Sequence, residues 1–203
     1  GVKFTNHHIQ SPLLDVSSSC GVCHRWSEEE VISRVESMQK KHHSLRLKAE
    51  DAIVLAHFDV AACMEAGVSI QDLESLRDRL WKAQLLWDYV SVHNGMGFHS
   101  PQECARTLGD AIDTAQEVRI EAARLLATRG TTDPPLYPDI STTDEALRVI
   151  LAFEKAAQDP SVSPPSLLSP VVHVVEENEE ASVDADTQDG MGAPDPEGAS
   201  NGS

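Results

Sequence analysis

Cys20-Gly21-Val22-Cys23-His24 holds the side chains of this chain best suited to chemistry. C-x-x-C-H is the attachment pattern of c-type haem. Each thiol forms a thioether with one vinyl group of the porphyrin, and the adjoining histidine is held beneath the iron as proximal ligand. Two bonds fix one porphyrin edge while the histidine turns back toward the centre. A zinc site would need two further ligands at suitable spacing, and the other cysteines, Cys63 and Cys104, are solitary. A thioredoxin-type pair would sit in a βαβ pattern, which is lacking. Cys63 and Cys104 have alanine neighbours on helical patterns and read as small buried hydrophobes.

The chain has nine histidines. His7-His8 lies thirteen residues before Cys20 in an irregular segment, and His99 follows a two-glycine loop and precedes a helix start. Both offer imidazole from non-helical backbone, as ligands often do. His42-His43, amid lysines, reads as a solvated helix face, and His57 as a packed histidine. His93 lies near the loop that carries His99, and His173 is assigned nothing. One haem takes at most one distal histidine. Either one candidate is idle, or they ligate haems attached elsewhere, as in multihaem cytochromes.

The elements that must position these residues are helical, and the predicted fold class is all-α. Residues 1–26 form an irregular haem-binding segment, residues 27–157 a helical domain, and residues 158–203 a disordered acidic, Pro-rich tail. Helices are expected at about 27–66, 69–92, 101–129 and 143–157. Ser27 with Glu30 is a capping box, and Gly67 is a C-cap. In the second helix Leu73, Leu76, Leu80, Ala83, Trp87 and Val90 trace the heptad seam of a hairpin or bundle. Gly95 and Gly97 allow unusual backbone before His99. Ser100-Pro101 with Glu103 opens the third helix, whose stripe is Ala105, Leu108, Ile112, Ala115, Ala122 and Leu126 up to Gly130. Ser141 with Asp144 caps the fourth.

Only 4% of the 203 residues are aromatic, so the core must be aliphatic or supplemented, for instance by a porphyrin. The net charge is -17, and residues 158–203 hold ten acids and no Lys or Arg, which leaves the body at -7. An acidic body argues against nucleic acid as a partner and permits a basic redox protein. No run of about 18 apolar residues occurs, so no membrane span is expected. The chain starts with Gly and no apolar leader, so a processed or N-terminally truncated sequence is expected.

Several separated stretches together resemble one family. Lys3-Phe4-Thr5-Asn6-His7-His8 through Cys20-Gly21-Val22-Cys23-His24-Arg25-Trp26-Ser27 is similar to the last haem-binding region of the ammonia-forming cytochrome c nitrite reductases, the pentahaem cytochrome c552 family. Ala83-Gln84 through Trp87-Asp88, Asn94-Gly95-Met96-Gly97-Phe98-His99-Ser100-Pro101-Gln102-Glu103, Leu108-Gly109 through Asp113, and Ala123 through Gly130 agree in order. The resemblance covers about residues 2–150.

The resemblance implies a periplasmic multihaem cytochrome, usually a homodimer, that reduces nitrite to ammonium. It would draw electrons from a membrane-bound or soluble quinol-linked cytochrome. Haem c would be attached here through Cys20 and Cys23 with His24 as proximal ligand of the fifth haem. His7 would be the distal ligand of the second haem and His99 of the fourth. The long helices after Ser27 would supply the dimer contact. The family's catalytic haem is attached through C-x-x-C-K, and no such motif occurs here; the calcium site and nitrite pocket also belong upstream. The chain is thus expected to be a C-terminal part carrying one relay haem and no catalytic residue. A non-catalytic multihaem electron carrier, or a related multihaem oxidoreductase, would share these motifs, and the upstream attachment motifs separate them. A purely structural helical module would bind no covalent haem.

Overall fold

The computed structural model describes residues 10–168. His7 and His173 lie outside them, as does most of the acidic tail. The described chain is all-helical: α1 spans Glu28–Glu65, α2 Ile70–Ser91, α3 Pro101–Thr128 and α4 Thr143–Gln158, preceded by short 3-10 turns at Pro12–Leu14 and Cys20–Val22.

The stop and start signals lie in the local sequence. Ser27 Oγ accepts from the Glu30 N–H at 3.2 Å, and Ser69 Oγ from the Asp72 N–H at 3.2 Å. Gly67 ends α1 at φ +70°, with the Val68 N–H returning to the Cys63 carbonyl. Gly130 ends α3 in the same way, with Thr131 donating to Leu126. These six-to-one bonds satisfy orphan helix carbonyls, and only glycine adopts the left-handed position without cost.

Two expected caps differ. Ser100 makes no side-chain cap bond, so α3 opens on Pro101 alone. Thr142, not Ser141, caps α4: its Oγ1 accepts from the Glu145 N–H at 3.2 Å, while Ser141 Oγ donates to the Glu145 carboxylate. Both hydroxyls stand near the helix start, and the one adjoining the first helical residue has the better reach.

α3 packs against both α1 and α2. The α2 seam is buried as its spacing requires: Leu73, Leu76, Leu80, Ala83 and Val90 all face inward, with Trp87 half-buried. That seam is spent inside the chain, so it does not supply a contact between subunits. On α3 the expected stripe is buried at Leu108, Ala115, Ala122 and Leu126 and partly at Ile112; Cys104, Ala111 and Val118 are buried beside it, whereas Ala105 is exposed. Alanine at many contact positions lets the helix axes approach closely, which accounts for a core with few aromatic residues. Leu76 has no exposed surface. Leu76→Ala should cost about 3 kcal/mol, measured as a lowered urea midpoint; a loss under about 1 kcal/mol would mean that the bundle collapses into the cavity.

α1 has 38 residues and does two jobs along its ~57 Å length. Ala52, Ile53, Ala56, Val60 and Cys63 enter the main core with α2 and α3. Val31 and Val35, near its start, instead pack with Val16 and are touched by Cys20 and Phe98. The first turns of α1 therefore brace the C-x-x-C-H segment and the loop before His99.

The connection after α3 is pinned by one polar cluster. Arg119 Nε donates to Asp59 Oδ2 at 2.9 Å, and the Tyr137 hydroxyl donates to Asp59 Oδ1 at 2.6 Å. Composition places the start of the unstructured tail at 158. The structure instead carries placed backbone to Leu168: Leu167 is buried, its N–H donates to Glu65 Oε2 at 2.8 Å, and its carbonyl accepts from the Leu136 N–H at 2.7 Å. Leu167 in the main core, Leu168 packed beside it and these bonds together hold this stretch. The remainder of the segment lies outside the described residues.

Candidate functional site

Asp15 organises the approach to the cysteine pair. Its carboxylate accepts from the Ser18 N–H and the Ser17 hydroxyl, and these bonds, the backbone one foremost, hold it below the usual carboxylate range. Ser19 Oγ donates to the Asp15 carbonyl at 2.6 Å, and the Gly21 N–H donates to the Val16 carbonyl at 2.7 Å. A Cβ on Gly21 would meet that carbonyl oxygen at 3.3 Å, tighter than ordinary contact. Val16, buried against Val31 and Val35, anchors the turn to α1. The Cys23 and His24 N–H groups both donate to the Cys20 carbonyl, at 3.1 and 2.8 Å. The segment is thereby wound into one tight turn.

Cys20, Cys23, His24 and His99 line one cavity of about 530 Å³, together with Pro12, Val31, Met38 and Phe98. This size lies within the range of cofactor pockets. Cys20, Phe98 and His99 also border a second cavity of about 450 Å³. Both motif thiols are free, Cys20 half-buried and Cys23 exposed. Among the described residues no three His, Cys, Asp or Glu side chains converge as a metal cage. Thioether attachment requires no such convergence; it needs two accessible thiols and an imidazole around an apolar space. This donor set fits haem c.

Two neighbours escaped the sequence reading. The Trp26 ring lies parallel to the His24 ring, with centroids 5.2 Å apart, and the Arg34 guanidinium sits 4.3 Å from the Trp26 centroid. Arg34 is also paired with Glu30 at 2.9 Å. Trp26 lies two residues past the motif, and the helix start after Ser27 brings Arg34 beside it.

The other two cysteines lie elsewhere. Cys63 is fully buried, and burial, with the Asp59 charge, pushes its thiol up to about 11. Cys104 is also buried, and burial raises its thiol too. Thiolate is the reactive form. Iodoacetamide at pH 8, followed by peptide mapping of the haem-free chain, should therefore label Cys20 and Cys23 well before Cys63 and Cys104. Equal rates at all four would contradict this placement.

The histidines sort differently from expectation in one case. His57 keeps an exposed face, yet burial of the rest of its ring disfavours the cation, as for a partly packed histidine. His43 is exposed, but both ring nitrogens of His42 are sealed from solvent without a hydrogen-bond partner. His93 meets the Tyr89 ring edge-on, with centroids 4.9 Å apart. His99 lies at the end of a run of turns in which Met96, Phe98 and Ser100 donate to the carbonyls three residues back. Within it Gly97 has φ +76°, but the second left-handed residue is Met96 at φ +46°, not Gly95. Gly95 instead presents its carbonyl to Gln39 Nε2 at 3.4 Å.

The sequence profile of the cytochrome c552 family matches residues 1–180. A cytochrome c-552 of Porphyromonas gingivalis is 37% identical over 150 residues, covering 74% of this chain and 30% of that protein. One from Parabacteroides distasonis is 35% identical over 162 residues, covering 78% and 33%. Among solved structures, the cytochrome c nitrite reductase of Desulfovibrio desulfuricans aligns with a TM-score of 0.50 and 26% identity, over 77% of this chain and 31% of that one. The chain spans about a third of the length of the curated relatives it matches.

Proposed function

The chain belongs to the cytochrome c552 family, and we propose that it is the C-terminal part of a periplasmic multihaem cytochrome c nitrite reductase that forms ammonium. The observation that carries this reading is the meeting of Cys20, Cys23, His24 and His99 at one apolar cavity. Cys20 and Cys23 would hold one haem c, and His24 would be its proximal ligand. His99, which also borders the second cavity, would lend an imidazole to the fourth haem, and His7 to the second. A haem whose two axial positions are filled by histidine passes electrons and binds no substrate. The chain's residues would thus hold and orient a relay. Nitrite would meet an open iron carried upstream; the resemblance implies five haems in all, four of them attached upstream together with the C-x-x-C-K motif and the calcium site. Electrons would come from a quinol-linked cytochrome.

A homodimer is also part of this reading. With the α2 seam used internally, the outer row Trp81, Leu85, Tyr89 and Val92, all exposed, recurs at helical spacing and offers an apolar face to a second copy. Among the described residues no helix is long and apolar enough to cross a membrane.

The test is production of the chain with a c-type maturation system, followed by a pyridine haemochrome spectrum. One covalent haem per chain is expected, with no ammonium formed from nitrite by this segment alone. Absence of covalent haem would remove the cytochrome reading, and turnover near that of a whole nitrite reductase would remove the relay assignment.

A further inference from the structure

His42 is the one histidine among the described residues whose two ring nitrogens are both buried without a partner. Burial, reinforced by the nearby Arg46, His43 and His93, disfavours its cation. A buried polar group with no partner calls for a reason, and the contacts of its carbon edge supply one. A Cβ built on Gly97 would fall 2.8 Å from His42 Cδ2 and 3.2 Å from Cγ, with Cys104 Cβ at 3.5 Å. The Gly97 backbone is therefore wedged between the His42 ring on α1 and the first turn of α3. One turn before His42, Gln39 holds the Gly95 carbonyl. Phe98 packs on the cluster of Val16, Val31 and Val35, and its ring meets that of His99 edge-on at 4.6 Å. Three successive turns of α1 thus grip the loop two, one and four residues ahead of His99.

We propose that the flat His42 ring is the seat on which the Gly97 backbone closes, and that it positions His99 for haem ligation by shape and not by hydrogen bonding. His42 is a positioning residue acting through Gly97, and the inference rests on the reading of His99 as an axial ligand. Gly97 is required because any side chain would enter the ring, and its left-handed φ is what redirects the chain to present His99.

The experiment uses the intact haem-loaded protein and follows the spin state of its haems by electron paramagnetic resonance and visible spectroscopy. His99→Ala defines the signal: loss of one low-spin haem per chain. His42→Ala should lose the same low-spin signal in large part, whereas His42→Phe, which keeps a flat ring and discards both nitrogens, should retain it. Gly97→Ala should lose it as well. The double variant Gly97→Ala, His42→Ala should be no worse than the poorer single one, because both act on a single contact. His42→Phe behaving like His42→Ala, or additive losses in the double variant, would overturn the proposal.

Limited proteolysis separates the two layers. If His99→Ala leaves every low-spin haem in place, the ligand assignment fails. The seat then stands or falls on whether His42→Ala, and not His42→Phe, speeds cleavage within residues 93–99 by about fivefold or more.

Discussion

Replacing Cys20 and Cys23 together with alanine should abolish covalent haem in this segment while the helical body stays folded. Cys23 is exposed and Cys20 only touches the small cluster of Val16, Val31 and Val35. Neither belongs to the main core that joins α1, α2 and α3. Their loss should cost the body under about 1 kcal/mol, as for ordinary surface positions. Each single variant keeps one thiol able to form a thioether, so it should retain haem with an altered absorption band. His24→Ala differs in kind: both thioethers form, but the iron loses its proximal imidazole and becomes high-spin. Mass spectrometry, the haemochrome spectrum and far-UV circular dichroism together check the three outcomes. Haem retention in the double variant, or unfolding of it, would contradict this account.

Asp59→Ala should destabilise the fold by about 3 kcal/mol, read from urea unfolding. The Asp59 side chain is only 6% exposed and holds Arg119 and Tyr137 from two different segments. Without it the Tyr137 hydroxyl loses its acceptor, and Arg119 loses its ion pair while keeping its bond to the Tyr137 oxygen. Arg119 retains 26% exposure and can recover some hydration, which keeps the loss at the lower end for a broken buried pair. Tyr137 adds a pH signature. Burial, and then its bond to Asp59, raise its hydroxyl above the ordinary value near 10. The folded state therefore keeps this proton longer than the unfolded one does. The contribution is fully present below pH 10 and is lost as pH rises through the folded value. Tyr137→Phe should flatten that alkaline loss, and unchanged slopes would exclude the assignment.

Local signals predicted most of the helical frame. Hydroxyl caps at Ser27 and Ser69, glycine stops at Gly67 and Gly130 and the α2 seam are encoded within a few residues of where they act. The Cys20, Cys23 and His24 motif is legible for the same reason, lying within five residues on one turn. What sequence missed depends on contacts between distant segments. His42 sits among lysines and gives no hint that Gly97, far along the chain, closes over it. Asp59 stands in an apolar stretch of α1, and its partners Tyr137 and Arg119 arrive only from later segments. The buried face of α3 is wider than its stripe because α1 and α2 both pack on it, which adds Cys104, Ala111 and Val118.

The division of labour along α1 has a mechanical consequence. From about Leu45 onward the helix is gripped by α2 and α3, while its opening turns pack on the attachment segment and the loop before His99 and border only the first turns of α3. Residues 28–45 form a cantilever about 26 Å long with no break in its helical hydrogen bonding. A tilt of a few degrees at the clamped end moves the free end by about 1 Å. A tilt at α2 and α3 would be felt as a larger displacement beside Cys20 and Cys23, and a stiff bundle keeps that end still.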